Sequence, residues 1–167
     1  MNVMKFGGTS VGSPKNIKHV ASLITESGEP TFVVLSAMSG TTNTLLEISN
    51  YLYKKNSDGA NEVINNLERT YMQHVEELFS TDEYKQKTIT FLQSEFAYMR
   101  SFTKDIFTSF EEKSIVAQGE IMSTNMMLNY LEEIGIKAIL ISALDFMRTD
   151  KNSDPAAHYI KEDLTNI

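Results

Sequence analysis

The sequence predicts an α/β fold, a three-layer sandwich with helices on both faces of a mainly parallel sheet. Three observations predict it. Residues 3–6, 31–36 and 137–142 are apolar, β-branched stretches of strand length. Two of them contain nearly continuous hydrophobic runs, Phe32-Val33-Val34-Leu35 and Ala138-Ile139-Leu140-Ile141, which fit strands covered on both faces. Between the first two strands, a glycine turn and a punctuated helix complete a right-handed βαβ unit.

That first helix has clear limits. Ser13 suits the N-cap, Pro14 suits the first helical position, and Gly28 suits the stop. Ile17, Val20, Ala21 and Ile24 share one face. After the second strand, Thr41 or Thr42 can cap a helix whose Leu45, Ile48, Ser49 and Leu52 form a stripe. A long helical stretch follows over about 61–110, its clearest stripe being Leu92, Phe96, Met99, Thr103, Ile106 and Phe110. The reading is one domain, 1–167, with a helical insertion at about 57–115. The next helix starts near Glu120, carries Ser123, Met127, Tyr130, Leu131 and Ile134 on one face, and stops at Gly135. Near the end, Ile160, Leu164 and Ile167 have helical spacing without a stop signal. With three strands the sheet edges would also be bare. Both points suggest a chain that belongs to something longer.

Composition narrows the function classes. With 41% hydrophobic and 22% charged residues, the chain has the make-up of a folded globular domain. No apolar run approaches the ~20 residues of a membrane span, and the first residues lack a secretory pattern. There is no cysteine, hence no disulfide framework or thiolate metal site. A cytoplasmic protein without a membrane partner is the simplest reading. The net charge of -7, with lysines scattered among acids, disfavours a nucleic-acid partner. It leaves room for a nucleotide, because one lysine and a few backbone N–H groups can make a local anion site.

Three segments could carry chemistry. The first is Lys5-Phe6-Gly7-Gly8-Thr9-Ser10-Val11-Gly12-Ser13. A strand would deliver Lys5 to the carboxyl edge of the sheet, where open α/β folds bind ligands. Gly7 and Gly8 would let the backbone approach an anion closely, with N–H groups following as a helix begins. The lysine precedes the glycines, so this is not the common nucleoside-triphosphate loop. The same pattern also fits an ordinary tight turn with a solvated lysine. The second is Leu35-Ser36-Ala37-Met38-Ser39-Gly40-Thr41-Thr42-Asn43, whose hydroxyls suit either an anionic ligand or helix capping. The third is Gln118-Gly119-Glu120, where the carboxylate suits either a helix N-terminus or a ligand ammonium. His19, His74 and His158 show no ligand spacing and read as surface or structural, so no metal ligand is assigned.

Taken together, KFGGTSVGS, VVLSAMSGTTN and QGEIMSTNM resemble the N-terminal half of the aspartate kinases, members of the amino-acid kinase family. Asp145-Phe146-Met147-Arg148-Thr149-Asp150 resembles the segment after the third strand in those enzymes. The likeness spans nearly the whole chain, in order, and KFGGTSV is the most specific part. The family continues with a glycine-rich G-R-G-G-S-D stretch, most of the nucleotide pocket and regulatory ACT domains, none of which lies in these 167 residues.

The resemblance implies an amino-acid kinase fold, N-terminal part only, whose parent moves the γ-phosphoryl of ATP to the β-carboxylate of L-aspartate. The product, 4-phospho-L-aspartate, leads towards lysine, threonine and methionine. It implies Mg-ATP and L-aspartate as ligands, Mg2+ held mainly by the nucleotide, and a homo-oligomeric parent. Lys5 would be the catalytic cation. Lys5, Phe6, Gly7, Gly8, Thr9 and Ser10 would line the phosphate path. Ser36 and Thr42 would bind substrate carboxylates, and Glu120 its ammonium. Asp145 and Arg148 are left unassigned, a surface turn fitting both equally well. On this reading the 167 residues alone are inactive. The alternatives are another kinase of the family, acting on glutamate, acetylglutamate, carbamate or UMP, and a non-catalytic ligand-binding or assembly module.

Overall fold

In the computed structural model, residues 2–165 are described except 27, 105 and 153. β1 (Asn2–Phe6) runs parallel to β2 (Thr31–Leu35), with Lys5 opposite Val34 and Phe6 opposite Leu35. The Ser36 amide donates to the Phe6 carbonyl at 3.1 Å, so the two strands leave the sheet side by side. Between them, α1 (Pro14–Thr25) begins as expected: the Ser13 hydroxyl accepts from the Asn16 amide, and Pro14 fills the first turn. Ile17, Val20, Ala21 and Ile24 are buried, and Gly28 turns the chain at φ +66°.

α2 (Thr41–Tyr53) buries Leu45, Ile48, Ser49 and Leu52, the expected stripe. Its start differs. Gly40 is the N-cap, at φ +83°, and no side chain caps the helix; Thr41 and Thr42 are its first two residues. Thr41 cannot cap because its hydroxyl is engaged elsewhere, by Tyr71.

The expected long helical stretch is divided. α3 (Ser57–Leu78) and α4 (Asp82–Ser101) are separated at Phe79, where the backbone becomes extended. Glu133 Oε1 explains the break, accepting from the amides of Ser80 (2.9 Å) and Thr81 (2.7 Å) and the Thr81 hydroxyl (2.8 Å). The stripe Leu92, Phe96, Met99 is buried, but it stops there. Ile106 is 86% exposed and Phe110 75% exposed. After a 3-10 turn at Phe102–Lys104, a separate α5 (Ser109–Val116) begins at a capping box formed by Thr108 and Glu111. The box starts a new helix with its own direction, so the earlier periodicity does not carry across.

α6 (Gln118–Glu133) buries Ser123, Met127 and Leu131, and ends before Gly135 at φ +79°. Tyr130 is partly buried and Ile134 exposed, while Met122, Met126 and Asn129 are buried, so the buried face is broader than the expected stripe and turned away from Tyr130 and Ile134. α7 (Ala143–Phe146) and α8 (Ala157–Thr165) follow. Of the terminal stripe, Ile160 lies in α8, while Ile167 and the Leu164 side chain lie outside the described residues.

Residues 137–142 do not form the expected third strand. Among the described residues the sheet has two strands, and Ile139 is 81% exposed. An apolar β-branched run marks fitness for a buried strand; becoming one requires a backbone partner, and no described strand lies along it.

The core is one continuous cluster running from Val11 and α1 through α2, α3, α4 and α6 to Leu131. Tyr71, Phe96, Met99, Met122 and Met126 are among its largest fully buried side chains. The helices thus form a firm support on one side of the strand ends.

Candidate active site

The three motif segments meet beyond the carboxyl ends of β1 and β2. The turn after β1 is closed by the Ser10 amide donating to the Gly7 carbonyl at 2.9 Å, and Asn16 Nδ2 donates to the Thr9 carbonyl at 2.8 Å. This turn lies flat on the segment after β2. A Cβ at Gly8 would sit 2.9 Å from the Ala37 carbonyl oxygen, and one at Gly12 would sit 2.8 Å from Ser39 Cβ. Gly7 is different: a Cβ there would meet nothing within 4 Å. Packing therefore explains Gly8 and Gly12, whereas Gly7 faces open space. The amides of Gly8 and Thr9 donate to no backbone carbonyl among the described residues.

The third segment presses on the second from the other side. A Cβ at Gly119 would lie 2.7 Å from Ala37 Cβ and 3.4 Å from Thr41 Cγ2. Four residues on, the Ser123 hydroxyl donates to the Ser36 carbonyl at 2.8 Å. The strip Ser36–Thr41 is thus held between the glycine turn and the first turn of α6.

Within this strip the polar side chains divide into two sets. Ser13, Thr41 and Ser123 are used internally: a cap, a bond to Tyr71 and a clamp on Ser36. By contrast, the side chains of Lys5, Ser36, Thr42 and Glu120 have no hydrogen bond or ion pair among the described residues. Lys5, Thr42 and Glu120 are exposed and Ser36 is half-buried. Thr9 and Ser10 belong to the same open set on the β1 side. The edge of the sheet therefore presents one cation, several hydroxyls and one carboxylate with free bonding capacity.

Glu120 also acts through space. Burial pushes the Tyr71 phenol up to about 12, its bond to Thr41 opposes this, and the Glu120 charge adds to the rise. That coupling brings the Glu120 carboxylate within electrostatic reach of Tyr71 and hence of the α2 start. Next to it, a cavity of about 380 Å³ opens between α2 and α3, lined in part by Thr41, Thr44, Glu47, Tyr71 and His74. Burial holds His74 below the ordinary histidine value, against the pull of Glu77, and its Nδ1 has no partner.

Arg148 pairs with Asp163 of α8 at 3.1 Å, and Asp145 sits in the short α7. Among the described residues no group of three or more His, Asp or Glu could hold a metal ion. The sequence offered Thr41 as a helix cap or a ligand hydroxyl, and did not single out Gly119 or Tyr71 as parts of this arrangement. Gly119 stood inside a quoted motif; Tyr71 gave no local signal.

Comparison with known proteins identifies the family and the fold. The model of the amino acid kinase family matches residues 1–167. The chain belongs to the amino acid kinase family. Among its relatives, aspartokinase 1, chloroplastic, of Arabidopsis thaliana is 33% identical over 160 residues, covering 89% of this chain and 26% of the relative. An aspartate kinase of Pseudomonas putida is 52% identical over 50 residues, covering 28% of this chain and 12% of that protein. The structure of E. coli aspartokinase III in complex with aspartate and ADP has a TM-score of 0.81 and 22% identity, covering 99% of this chain and 37% of that one. A second E. coli structure, in complex with lysine and aspartate, has a TM-score of 0.79. The fold is therefore that of the N-terminal part of the amino-acid kinase α/β fold, as expected. The chain spans about a quarter of the length of the Arabidopsis relative. No helix among the described residues is long and apolar enough to cross a membrane.

Proposed function

We propose that this chain is the N-terminal part of an aspartate kinase, a cytoplasmic enzyme of amino-acid biosynthesis whose full length transfers the γ-phosphoryl of ATP to the β-carboxylate of L-aspartate. One observation carries the reading: Lys5, Ser36, Thr42 and Glu120, to which the family resemblance gives ligand roles, have side chains with no internal hydrogen bond or ion pair among the described residues. The E. coli neighbour bound to aspartate and ADP supports the choice of acceptor and nucleotide.

The acceptor carboxylate has a pKa of about 4, as free side-chain carboxylates do, and is already an anion at neutral pH. One of its oxygens attacks the γ-phosphorus as the bond to the ADP oxygen breaks. No proton need move, so the protein's task is alignment and charge stabilisation. Lys5 offsets negative charge on the transferring group. Gly7 leaves the space through which a phosphate can approach the backbone, while the Gly8 and Thr9 amides and the Thr9 and Ser10 hydroxyls line that path. Phe6 sets the direction of the strand end through its carbonyl bond with Ser36. Ser36 and Thr42 donate to the acceptor's carboxylates, and Glu120 receives its ammonium. Mg2+ would travel with the nucleotide phosphates. We expect the isolated chain to be inactive and the full-length enzyme to be a homo-oligomer.

The test is Lys5→Ala in the full-length protein. We expect kcat to fall about a hundredfold or more, with KM for aspartate changed little, since the lysine acts on the transferring charge. Equal losses in kcat and aspartate affinity would assign Lys5 to acceptor binding and reject this role.

A further inference from the structure

We infer that Tyr71 is a positioning residue for the acceptor subsite, its hydroxyl fixing Thr41 and thereby the first turn of α2 that presents Thr42 opposite Glu120. The inference deepens the proposed function and rests on it for the identity of the acceptor.

Tyr71 lies in α3, far along the chain from every motif, yet it is 1% exposed and its hydroxyl is 3.0 Å from Thr41 Oγ1 in a buried contact. Its ring is held edge-on by Phe96 of α4, with centroids 5.9 Å apart. The hydroxyl is thus aimed from a rigid base formed by two packed helices.

The α2 start needs such a tie. Its N-cap is Gly40, which has no side chain to accept from the first amides. Packing holds it on one side only, because the cavity of about 380 Å³ lies along Thr41 and Thr44 on the α3 side. On the far side of Thr41, its methyl group faces Gly119, the residue before Glu120. Thr41 therefore stands between the two elements that carry the acceptor contacts, and Tyr71 is the group that sets its rotamer. The phenol is pushed up to about 12 by burial and by the Glu120 charge, so it stays protonated across the working pH range. A neutral hydroxyl pair can exchange donor and acceptor roles without breaking, which suits a permanent tie.

The full-length protein carrying Tyr71→Phe, Thr41→Val, Thr41→Ser and the Tyr71→Phe/Thr41→Val pair tests this. Phenylalanine keeps the ring packing and removes only the hydroxyl. We expect KM for aspartate to rise about tenfold in Tyr71→Phe, the size of one lost buried hydrogen bond, while KM for ATP stays within about twofold. Thr41→Val should match it, Thr41→Ser should restore near-normal values, and the pair should be no worse than the poorer single variant. Amide exchange at residues 41–44 should quicken in Tyr71→Phe. Parallel shifts in both KM values, additive effects or unchanged aspartate kinetics would overturn the inference. If the unmodified protein turns over no aspartate, the acceptor reading falls by itself. Exchange at 41–44 then decides the tie: faster exchange in Tyr71→Phe supports it, and unchanged exchange rejects it.

Discussion

Adding a single methyl group at Gly119 probes the convergence of the motif segments. The new Cβ would lie 2.7 Å from Ala37 Cβ, 3.3 Å from Leu45 Cδ1 and 3.4 Å from Thr41 Cγ2. Two carbons settle at about 3.5–4.0 Å, so the α6 turn and the Ala37 backbone must separate by roughly 1 Å. Leu45 can rotate, but Ala37 carries its methyl directly on the main chain. Overpacking of this kind costs about 1–3 kcal/mol, and alanine returns at most about 1 kcal/mol in helix propensity, less in a first turn. The net expectation for Gly119→Ala is a loss of about 0.5–2 kcal/mol, a weakened Ser123–Ser36 clamp and a raised aspartate KM. Gly7→Ala is the matched control. It has open space and no left-handed φ, so stability should stay within about 0.5 kcal/mol, while the methyl intrudes on the phosphate path and lowers kcat/KM at least about tenfold. Urea denaturation and steady-state kinetics of the full-length protein provide both readouts. A Gly119→Ala variant as stable as the parent, with normal aspartate KM, would refute the contact between α6 and the strip after β2.

Two further outcomes follow from the helical layer. Burial holds the His74 imidazole below the ordinary histidine value of about 6.5 and so favours its neutral form in the fold. Its contribution is complete above about that pH and is lost as pH falls from there through the folded value, because the unfolded chain takes up the proton first. Urea midpoints at pH 7.5 and 5 should converge in His74→Asn relative to the parent; an identical pH slope would contradict this. Glu133→Ala should cost about 1 kcal/mol by removing the cap of α4, while Glu133→Gln keeps an acceptor oxygen and should cost less. Equal losses in the two variants would speak against the capping role.

Local punctuation made the strand–turn–helix beginning legible. Ser13, Pro14 and Gly28 act within their own turn, as does Gly135, and each stands where its chemistry required. Errors arose where a distant residue decides. Thr41 reads as a cap until Tyr71, thirty positions later, takes its hydroxyl. The break between α3 and α4 depends on Glu133, which no window around residue 80 contains. The run at 137–142 has strand composition, but composition cannot supply a neighbouring backbone. α5 was the readable omission: Thr108 and Glu111 form the capping-box pattern, hidden because Phe110 continued the preceding stripe. The motifs announced the candidate site as three separate segments. Whether the Thr41 and Ser123 hydroxyls are structural or free is a tertiary fact, set by Tyr71 and by the Ser36 carbonyl, both distant in sequence.

The most direct test compares acceptors in the full-length protein with Mg-ATP, trapping the acyl phosphate as its hydroxamate. L-Aspartate, N-acetyl-L-aspartate and succinate share a carboxylate to be phosphorylated, and only the first offers an ammonium group. The account predicts turnover of aspartate, a preference of about a hundredfold or more over the other two, and loss of most of that preference in Glu120→Ala. Comparable turnover of N-acetyl-L-aspartate or succinate by the unmodified protein would contradict it.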